Sequence, residues 1–500
     1  MAAALVLSST TSATTTTTTS VSLVSRGVKG MSAFSSVVLP RYIESQCPGL
    51  LSVARAAGVA WGIDGAVVKP AARGHPRRSF ASAAAAGGNI EGGRFTKIHI
   101  DGDIPKRELP AMGGVPFGRV FTDHMVKVDW ELDDAQAARL LDPSVGEAER
   151  EEIVLSGWGV PRIHAFGNIS LHPASQCLHY GSEVFEGMKA FRSESDTSTI
   201  NLFRPELNAR RLVDSTKSLG LPHLPESCLV QVIEEAVHRD ARWVPSDPGC
   251  SLYIRPVVFG TNASAGLTST VSASLMVLMS PVGRYFKDGL KPISLLLEDI
   301  KVRAWPGGIG HAKAGGNYAP TLKYQSDALR EYGCSQVLYA LPRGDNADEA
   351  VLSESGAMNF FALLAKEGGG KELVTAPLDG TILPGVTRQS VLDICREWGE
   401  FSVSERFLTV GELKKSANEG RLLELFGCGT AVLICPVNRI KFRSGEEIAC
   451  KYDVDDPAMI TNRIRHRIED IQYGRTGEHP WTIKIDDPAS RESAAERVAV

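Results

Sequence analysis

A single lysine among glycines has the clearest chemical potential in this sequence. Lys313 stands in the segment GGIGHAKAGGNY (307–318), which holds five glycines and leads into an apparent helix. Glycine lets a backbone approach a bound ligand closely and adopt conformations that other residues avoid. The spacing matches neither the dinucleotide fingerprint G-x-G-x-x-G nor the P-loop pattern G-x4-G-K-[ST]. By composition alone the segment is typical of a flexible surface loop with a solvated lysine, so other motifs must decide whether the amine reacts.

Three further segments supply those motifs. They read LHYGSEVFEGMKAF (178–191), LPGVTRQS (383–390) and GCGTA (427–431). Together with the lysine segment, they closely resemble the branched-chain amino acid aminotransferases, which belong to the fold-type IV class of pyridoxal-phosphate enzymes. The resemblance extends from about Phe117 to Gly474, roughly three quarters of the chain. It implies a two-domain α+β fold of the D-amino acid aminotransferase type.

The resemblance implies how a pyridoxal 5′-phosphate cofactor is held. Lys313 aligns with the lysine that forms the internal aldimine, and an amine with a free pKa of about 10.4 must lose its proton to attack a carbonyl. Glu354, in LSESGAMN (352–359), aligns with the carboxylate that keeps the pyridine nitrogen protonated. Tyr318 resembles the tyrosine that hydrogen-bonds the ring oxygen. The implied phosphate ligands are the guanidinium of Arg211, the helix-opening residues Val386 and Thr387, and Thr430.

The resemblance also implies a substrate pocket. The implied contacts are Phe117, Phe185, Tyr253 and Tyr285 as an aromatic wall for branched side chains, Tyr180 and Arg255 for the distal carboxylate of glutamate or 2-oxoglutarate, and Ala357 and Ala431. Burying a branched side chain contributes roughly 2–3 kcal/mol, which gives preference without exclusivity. The alternatives are structural, since aromatic residues on strands often belong to the core and an arginine in an apolar strand often forms an ion pair.

Two positions depart from the mammalian members of the family. Those members carry a threonine where Ala357 stands, so a hydroxyl contact with the substrate is absent here. They also have a C-x-x-C pair whose first position is Val432 in this chain, which leaves only Cys435. We therefore do not expect redox switching at that pair. The nine cysteines show no C-x2-C spacing, which favours a reduced compartment over a disulfide framework or a zinc ribbon.

Strands and helices alternate without a strict βαβ rhythm, which favours an α+β fold. The predicted strands are 251–260, 273–281, 292–297, 336–341, 359–365 and 372–376. Apolar spacing predicts helices near 229–237 and 460–471, and a capping-box pattern from Thr409 to Glu412 predicts another. We expect a small N-terminal domain at 95–283 with a charged surface insertion at about 132–156, a connecting loop at 284–290, a large domain at 291–482 and a polar tail at 483–500.

The bulk composition predicts a soluble globular chain behind an unusual N-terminal stretch. The 500 residues carry a net charge of −4, which favours neither nucleic acid nor an anionic membrane, and no apolar run approaches the roughly 18 residues of a membrane span. Residues 1–90 hold eight Lys or Arg against two acids and are rich in Ser, Thr and Ala. That composition predicts a transit peptide at 1–88 for the mitochondrial matrix, with the plastid as the alternative address and a low-complexity disordered tail as the other interpretation.

The residues together predict a branched-chain L-amino acid:2-oxoglutarate aminotransferase that works by a ping-pong reaction, with Lys313 moving the substrate Cα proton. Family members are homodimers, so we expect a homodimer acting on small molecules without metal, nucleic acid or membrane. The alternative within the fold is a D-amino acid aminotransferase or an aminodeoxychorismate lyase, against which Tyr180 and Arg255 argue. The alternative outside catalysis is a binding protein of the same fold, against which intact Lys313, Glu354 and Arg211 argue.

Overall fold

The computed structural model describes residues 7–10, 18–21, 89–102, 104–284 and 290–489. Its strands, in chain order, are β1 Leu7–Thr10, β2 Thr18–Val21, β3 Ile90–Glu91, β4 Arg94–Phe95, β5 His99–Ile100, β6 His124–Glu131, β7 Arg162–Ala165, β8 Glu183–Phe185, β9 Met188–Arg192, β10 Thr199–Phe203, β11 Ser251–Gly260, β12 Ser272–Val282, β13 Ile293–Glu298, β14 Gln336–Leu341, β15 Val351–Ser355, β16 Met358–Ala365, β17 Lys371–Thr375, β18 Ser402–Glu405, β19 Leu422–Gly429, β20 Leu433–Lys441, β21 Glu447–Ala449 and β22 Thr482–Asp486. Its α-helices are α1 Asp134–Leu141, α2 Glu147–Ser156, α3 Gln176–Tyr180, α4 Pro205–Ser218, α5 Glu226–Arg239, α6 Thr321–Tyr332, α7 Val386–Trp398, α8 Val410–Asn418 and α9 Ile460–Gln472.

Most of the predicted transit segment at 1–88 lies outside the described residues. Within it the structure describes only β1 and β2, which pair antiparallel with Leu7 opposite Val21. The transit peptide therefore stays a prediction.

The first sheet is a mixed nine-stranded layer in the order β22-β10-β9-β11-β12-β6-β7-β5, with β8 paired to β11. Its long central strands β11 and β12 confirm the strands predicted at 251–260 and 273–281. Helix α5 covers it with Leu229, Val232, Ile233 and Ala236, all at most 1% exposed, as the helical spacing of these residues predicts. This apolar layer supports the short strand β8 and the end of β11 on which predicted pocket residues lie.

The second sheet closes on itself. Its order is β15-β14-β13-β20-β19-β16-β17-β18, and an additional pairing of β15 with β16 joins six of these strands into a closed ring. Closure puts β16 in the middle of the core, where Met358 to Leu364 are all buried, and explains why its sequence is a continuous apolar run rather than an alternating one. The same pairing places Glu354 opposite Asn359.

Two helices around the second sheet, α8 and α9, follow the patterns that predicted them in the sequence. The isoleucines 460, 464, 468 and 471 of α9 are at most 3% exposed and pack with α7 against β19, which confirms the predicted helix. Thr409 caps α8 by accepting a hydrogen bond from the Glu412 N–H at 3.0 Å, which confirms that helix start. The Glu412 carboxylate pairs with Arg406 instead of completing a capping box.

Two segments differ from the sequence expectation or refine it. The predicted tail at 483–500 begins instead as β22, which pairs with β10 and buries Ile485 at 7% exposure. Alternating apolar residues Ile483 and Ile485 supply the inward face of that strand, a pattern too short to stand out in a polar terminus.

The charged insertion at about 132–156 forms α1 and α2, and α1 has no buried residue. Residues 285–289 of the predicted connector lie outside the described part of the chain. No helix among the described residues is long and apolar enough to cross a membrane.

Candidate active site

Lys313 lies in a loop that is hydrogen-bonded to the first sheet. Its backbone N–H donates to the Ser215 hydroxyl of α4 at 2.9 Å, and its carbonyl accepts from the Phe185 N–H of β8 at 3.0 Å. The side-chain amine donates to the Tyr318 hydroxyl at 3.1 Å and lies 4.6 Å from the centre of the Phe185 ring. Two backbone bonds therefore fix where the amine points, and the solvated loop suggested by composition alone is not what the structure shows.

The aromatic and cationic residues next to the lysine form a continuous row. The Arg255 guanidinium lies 4.7 Å from the centre of the Phe185 ring and donates to the Tyr253 hydroxyl at 2.9 Å. The Tyr253 ring in turn meets Phe117 edge-on with ring centres 4.8 Å apart. Arg255 forms no ion pair with an acid among the described residues, so the structural ion pair that the sequence left open is not observed. The structure thus brings four predicted substrate residues into one row that ends at Lys313.

Glu354 is buried in the closed part of the second sheet, near enough for the charge of Lys313 to act on it. It is 2% exposed, and its Oε1 accepts hydrogen bonds from the Asn359 side chain at 3.0 Å and from the Leu383 N–H. Burial raises the pKa of Glu354, whereas Arg303, the Leu383 N–H and Lys313 oppose that rise. A carboxylate held this way can face a cationic ring nitrogen.

Arg303 is a site residue that the sequence motifs did not reveal. Its Nη2 lies 3.1 Å from Glu354 Oε2, with both side chains at most 3% exposed, and its guanidinium lies 5.8 Å from the centre of the Tyr318 ring. Its Nε has no hydrogen-bond partner among the described residues. Arg303 stands between β13 and the lysine loop outside every recognised segment, so only the charge of an arginine in the run KVRAW (301–305) could have drawn attention to it.

Arg211 lies on the buried face of α4 and is tied to an acid. Its Nε and Nη2 lie 2.6 and 2.9 Å from the two carboxylate oxygens of Glu186, and its Nη1 donates to the Pro384 carbonyl at 3.0 Å. Burial alone would raise the pKa of Glu186, but the charge and hydrogen bonds of Arg211 lower it below its usual range. The sequence did not single out Glu186, although a glutamate inside the apolar run VFEGMKAF signals a buried ion pair.

The start of α7 lies beside Arg211 and offers backbone donors. Gly385 caps α7 without any side-chain hydrogen bond, so Val386 and Thr387 present the first N–H groups of the helix unopposed by a cap. A side chain at Gly385 would place its Cβ 2.0 Å from the Asn359 Oδ1, which explains the glycine. Val386, Thr387 and Thr430 line one cavity, so the structure brings together the three residues predicted as phosphate ligands with Arg211 close by.

Not every predicted residue joins this arrangement. Tyr180 is 44% exposed and donates its hydroxyl to the Ala265 carbonyl at 2.6 Å. Among the described residues, no hydrogen bond or cation–π contact joins it to Arg255. Ala357 is exposed, and its carbonyl would lie 3.1 Å from a Cβ on Gly429, next to the turn that holds Ala431. Tyr285 lies outside the described residues.

The two cysteines near the site, Cys428 and Cys435, have raised thiol pKa values. Burial raises the pKa of Cys435 to about 12 and also raises the pKa of Cys428. Thiols react as thiolates, so neither side chain is activated. The absence of redox switching at the position of the C-x-x-C pair stays a prediction.

The arrangement suits a planar, basic ligand with an anionic end. One end of the site offers Arg211, helix N–H groups and the Thr430 hydroxyl to an anion, and the other offers a buried carboxylate and an arginine whose Nε lacks a partner. The charge of the Lys313 amine acts on an acid at each end, Glu354 and Glu186. In the described residues no group of three or more His, Cys, Asp or Glu side chains could hold a metal ion. These donors fit a phosphorylated aromatic aldehyde with a ring nitrogen.

Comparison with known families defines the class. The family described as Amino-transferase class IV matches residues 183–440, which includes Lys313, Glu354 and Thr430. The chain belongs to the class IV aminotransferases and has the α+β architecture expected of them.

The curated relatives define the family within that class. The chain is 41% identical over 390 residues to the mitochondrial branched-chain-amino-acid aminotransferase of Rattus norvegicus, covering 78% of this chain and 91% of the relative. It is 41% identical over 380 residues to the cytosolic branched-chain-amino-acid aminotransferase of Ovis aries, covering 76% and 90%. A solved branched-chain aminotransferase from Thermoproteus uzoniensis with norvaline aligns at 25% identity with a TM-score of 0.52, covering 65% of this chain and 96% of that one. This chain belongs to the branched-chain-amino-acid aminotransferase family.

Proposed function

We propose that this protein transfers the amino group of leucine, isoleucine or valine to 2-oxoglutarate, forming the 2-keto acids and glutamate in a ping-pong reaction. The observation that carries the proposal is the position of Lys313, whose amine lies between the Tyr318 hydroxyl and the Phe185 ring. Near it lie an acid and an arginine suited to a cofactor ring. An arginine and aromatic residues suited to the substrates also lie near it. The family to which the chain belongs supports the same reaction.

The cofactor we propose is pyridoxal 5′-phosphate. When bound, it supplies an aldehyde carbon that takes the amino group and a ring that accepts electrons from the substrate Cα. Lys313 would hold its aldehyde carbon, Tyr318 its ring oxygen and Glu354 its ring nitrogen. The phosphate would lie against Arg211, Val386, Thr387 and Thr430, which combines a guanidinium, a helix N-terminus and a hydroxyl.

The residues then divide the work of moving one proton. The Lys313 amine would be the base that takes the proton from the substrate Cα and delivers it to the carbon that carries the transferred nitrogen. Tyr318 orients that amine by accepting its hydrogen bond at 3.1 Å. Glu354 presents its charge to the ring nitrogen, and Arg303 stabilises that charge from 3.1 Å away. The burial of Glu354 and Arg303 keeps water from this pair, which strengthens the attraction between the two charges.

Two unlike substrates must share one pocket. Phe117, Phe185 and Tyr253 offer an apolar face for a branched side chain. Arg255, stacked on Phe185, offers its remaining N–H groups to the distal carboxylate of glutamate or 2-oxoglutarate. Tyr180, Tyr285, Ala357 and Ala431 stay predicted contacts.

The proposal is tested with the purified protein loaded with pyridoxal 5′-phosphate. L-Leucine should change the absorption of the bound cofactor, 2-oxoglutarate should restore it, and glutamate should accumulate. D-Alanine should leave the spectrum unchanged. A response to D-alanine with none to the three branched-chain L-amino acids would instead make this a D-amino acid aminotransferase.

Assembly and location extend the proposal. We propose a homodimer in the mitochondrial matrix, directed there by residues 1–88. The basic, Ser- and Thr-rich composition of that stretch and the name of the rat relative support the mitochondrion, whereas the sheep relative is named cytosolic. Fusing residues 1–88 to a fluorescent protein should direct it to mitochondria; a plastid or cytosolic signal would refute this address.

A further inference from the structure

Lys189 joins the two sheets at the proposed site, and none of the roles above uses it. It lies on β9 of the first sheet, and its amine donates to the Ala431 carbonyl at 3.0 Å, in the turn between β19 and β20 of the second sheet. The two residues are 242 positions apart in sequence. One side chain thus connects β9 to the turn that carries Thr430 and Ala431.

That turn needs outside support. It consists of Thr430, Ala431 and Val432, and the residue after it, Leu433, adopts φ +63°. Residues other than glycine adopt this left-handed conformation at a cost of roughly 1–2 kcal/mol, and it persists only where surrounding contacts hold it. The hydrogen bond from Lys189 to the Ala431 carbonyl is such a contact.

The charge of Lys189 also matters at this place. Lys189 lines the same cavity as Val386, Thr387 and Thr430, the residues proposed to hold the phosphate. Arg211, the cation already assigned to that group, is paired through two nitrogens with the buried Glu186 carboxylate. Because that pair is neutral overall, protonated Lys189 adds a positive charge at the cavity proposed to hold the phosphate.

We propose that Lys189 is a positioning residue: its ammonium group holds the Thr430–Val432 turn so that Thr430 faces the cofactor phosphate and Ala431 faces the substrate. This inference rests on the proposed function and deepens it. The charge on this donor depends on pH, since burial lowers the pKa of Lys189 to about 8 and Glu469 partly opposes the shift. The charged or titratable groups around it are Glu469 on α9, itself paired with Arg465, and Tyr253, its cross-strand neighbour on β11.

The test compares Lys189→Met, Lys189→Arg and the wild-type protein by equilibrium binding of pyridoxal 5′-phosphate and of pyridoxal, which lacks the phosphate. Losing a hydrogen bond from a charged donor should weaken binding of the phosphorylated cofactor by about tenfold in Lys189→Met. Binding of pyridoxal should not change, and Lys189→Arg should restore most of the loss. Lys217→Met, which removes an exposed lysine of α4, is the matched control and should bind like the wild type.

The pH profile supplies a second readout that a purely structural role would not move. In the wild type, the KM for L-leucine should rise as the pH passes through about 8, because the charge that strengthens the hydrogen bond to the Ala431 carbonyl is then lost. In Lys189→Arg that rise should disappear, because arginine stays protonated. If Lys189→Met does not fold, Lys189→Gln, which keeps an N–H donor without the charge, should show a raised KM that does not change across this pH range.

Two results would overturn the inference. One is an unchanged affinity of Lys189→Met for pyridoxal 5′-phosphate, and the other is an equal loss of affinity for the cofactor and for pyridoxal. Wild-type protein that turns over leucine in the same assays keeps these failures distinct from a failure of the proposed function.

Discussion

At the scale of single residues, the site depends on charges placed where water does not reach. Glu354 and Arg303 are each nearly inaccessible, and Arg211 and Glu186 form a second buried pair one helix away. A buried charge without its partner is strongly destabilising, whereas an intact pair is close to neutral for stability. We infer that these pairs are retained for the ligand that they face rather than for the fold.

Replacing Arg303 with methionine tests the first pair. Glu354 would remain buried without its cation, so we expect a loss of roughly 3–5 kcal/mol in the free energy of unfolding or a further rise in the Glu354 pKa. Either outcome weakens cofactor binding, which a spectrophotometric titration with pyridoxal 5′-phosphate measures beside urea unfolding. Arg210→Met is the matched control, since Arg210 pairs with Glu226 on the surface and should contribute less than about 1 kcal/mol. Equal stability and cofactor affinity of the two variants would contradict this role of Arg303.

Sequence motifs placed some of these residues and missed others for a physical reason. Lys313, Glu354 and Arg211 lie in long recognisable segments, and the structure gathers them around one site. Arg303 and Glu186 act through partners distant in sequence, and a single chain does not reveal such pairs before it is folded. Lys189 shows the same limit, because its partner Ala431 is on another sheet.

At the scale of elements, local patterns predicted individual strands and helices, while their partners depended on the fold. The strands at 251–260 and 336–341 were predicted with the bounds that the structure gives them, and Thr409 marks the start of α8. The pairing of β15 with β16 closes the second sheet and buries Glu354. The sequence of neither strand predicts this pairing. Pairing between strands is decided by contacts over the whole chain, not by the periodicity of one segment.

The N-terminus of α7 gives an element-scale prediction. In Gly385→Ala the new Cβ would lie 2.0 Å from the Asn359 Oδ1, so the helix start must move away from Arg211 and Thr430. We expect binding of pyridoxal 5′-phosphate to weaken by at least about tenfold, because helix N–H groups bind anions only at close range. Equilibrium dialysis of the cofactor measures this. Gly146→Ala, at a helix start with open space around the Cβ, should bind normally, and a normal affinity of Gly385→Ala would contradict the prediction.

At the scale of the whole molecule, β22 returns the chain to the first sheet after the strands of the second sheet. Strand β22 adds an edge to the first sheet beside β10, and the preceding Trp481 stacks on Arg204 with the guanidinium 4.1 Å from the ring centre. Arg204 leads into α4, the helix that carries Arg211, and also pairs with Asp393 of α7. The C-terminal segment therefore supports the two helices that surround the proposed phosphate site.

Removing residues 478–500 tests whether the C-terminal segment stabilises the protein. We expect a loss of at least about 3 kcal/mol in the free energy of unfolding, since the buried Ile485 and the Trp481 contact are both lost. Chemical denaturation followed by fluorescence measures it. A shorter truncation that removes residues 490–500 keeps β22 and should be the more stable of the two truncated proteins. Equal stability of the two truncated proteins would show that β22 is dispensable.

The central claim is that the amine of Lys313 carries the reaction, and replacing this residue with alanine tests it most directly. The measurement is the steady-state rate of glutamate formation from L-leucine and 2-oxoglutarate, with Lys323→Ala, an exposed lysine of α6, as the control. We predict that Lys313→Ala lowers kcat by at least about 10³-fold, because the variant lacks both the covalent anchor and the base, while Lys323→Ala matches the wild type. Turnover of Lys313→Ala at the wild-type rate would contradict the account.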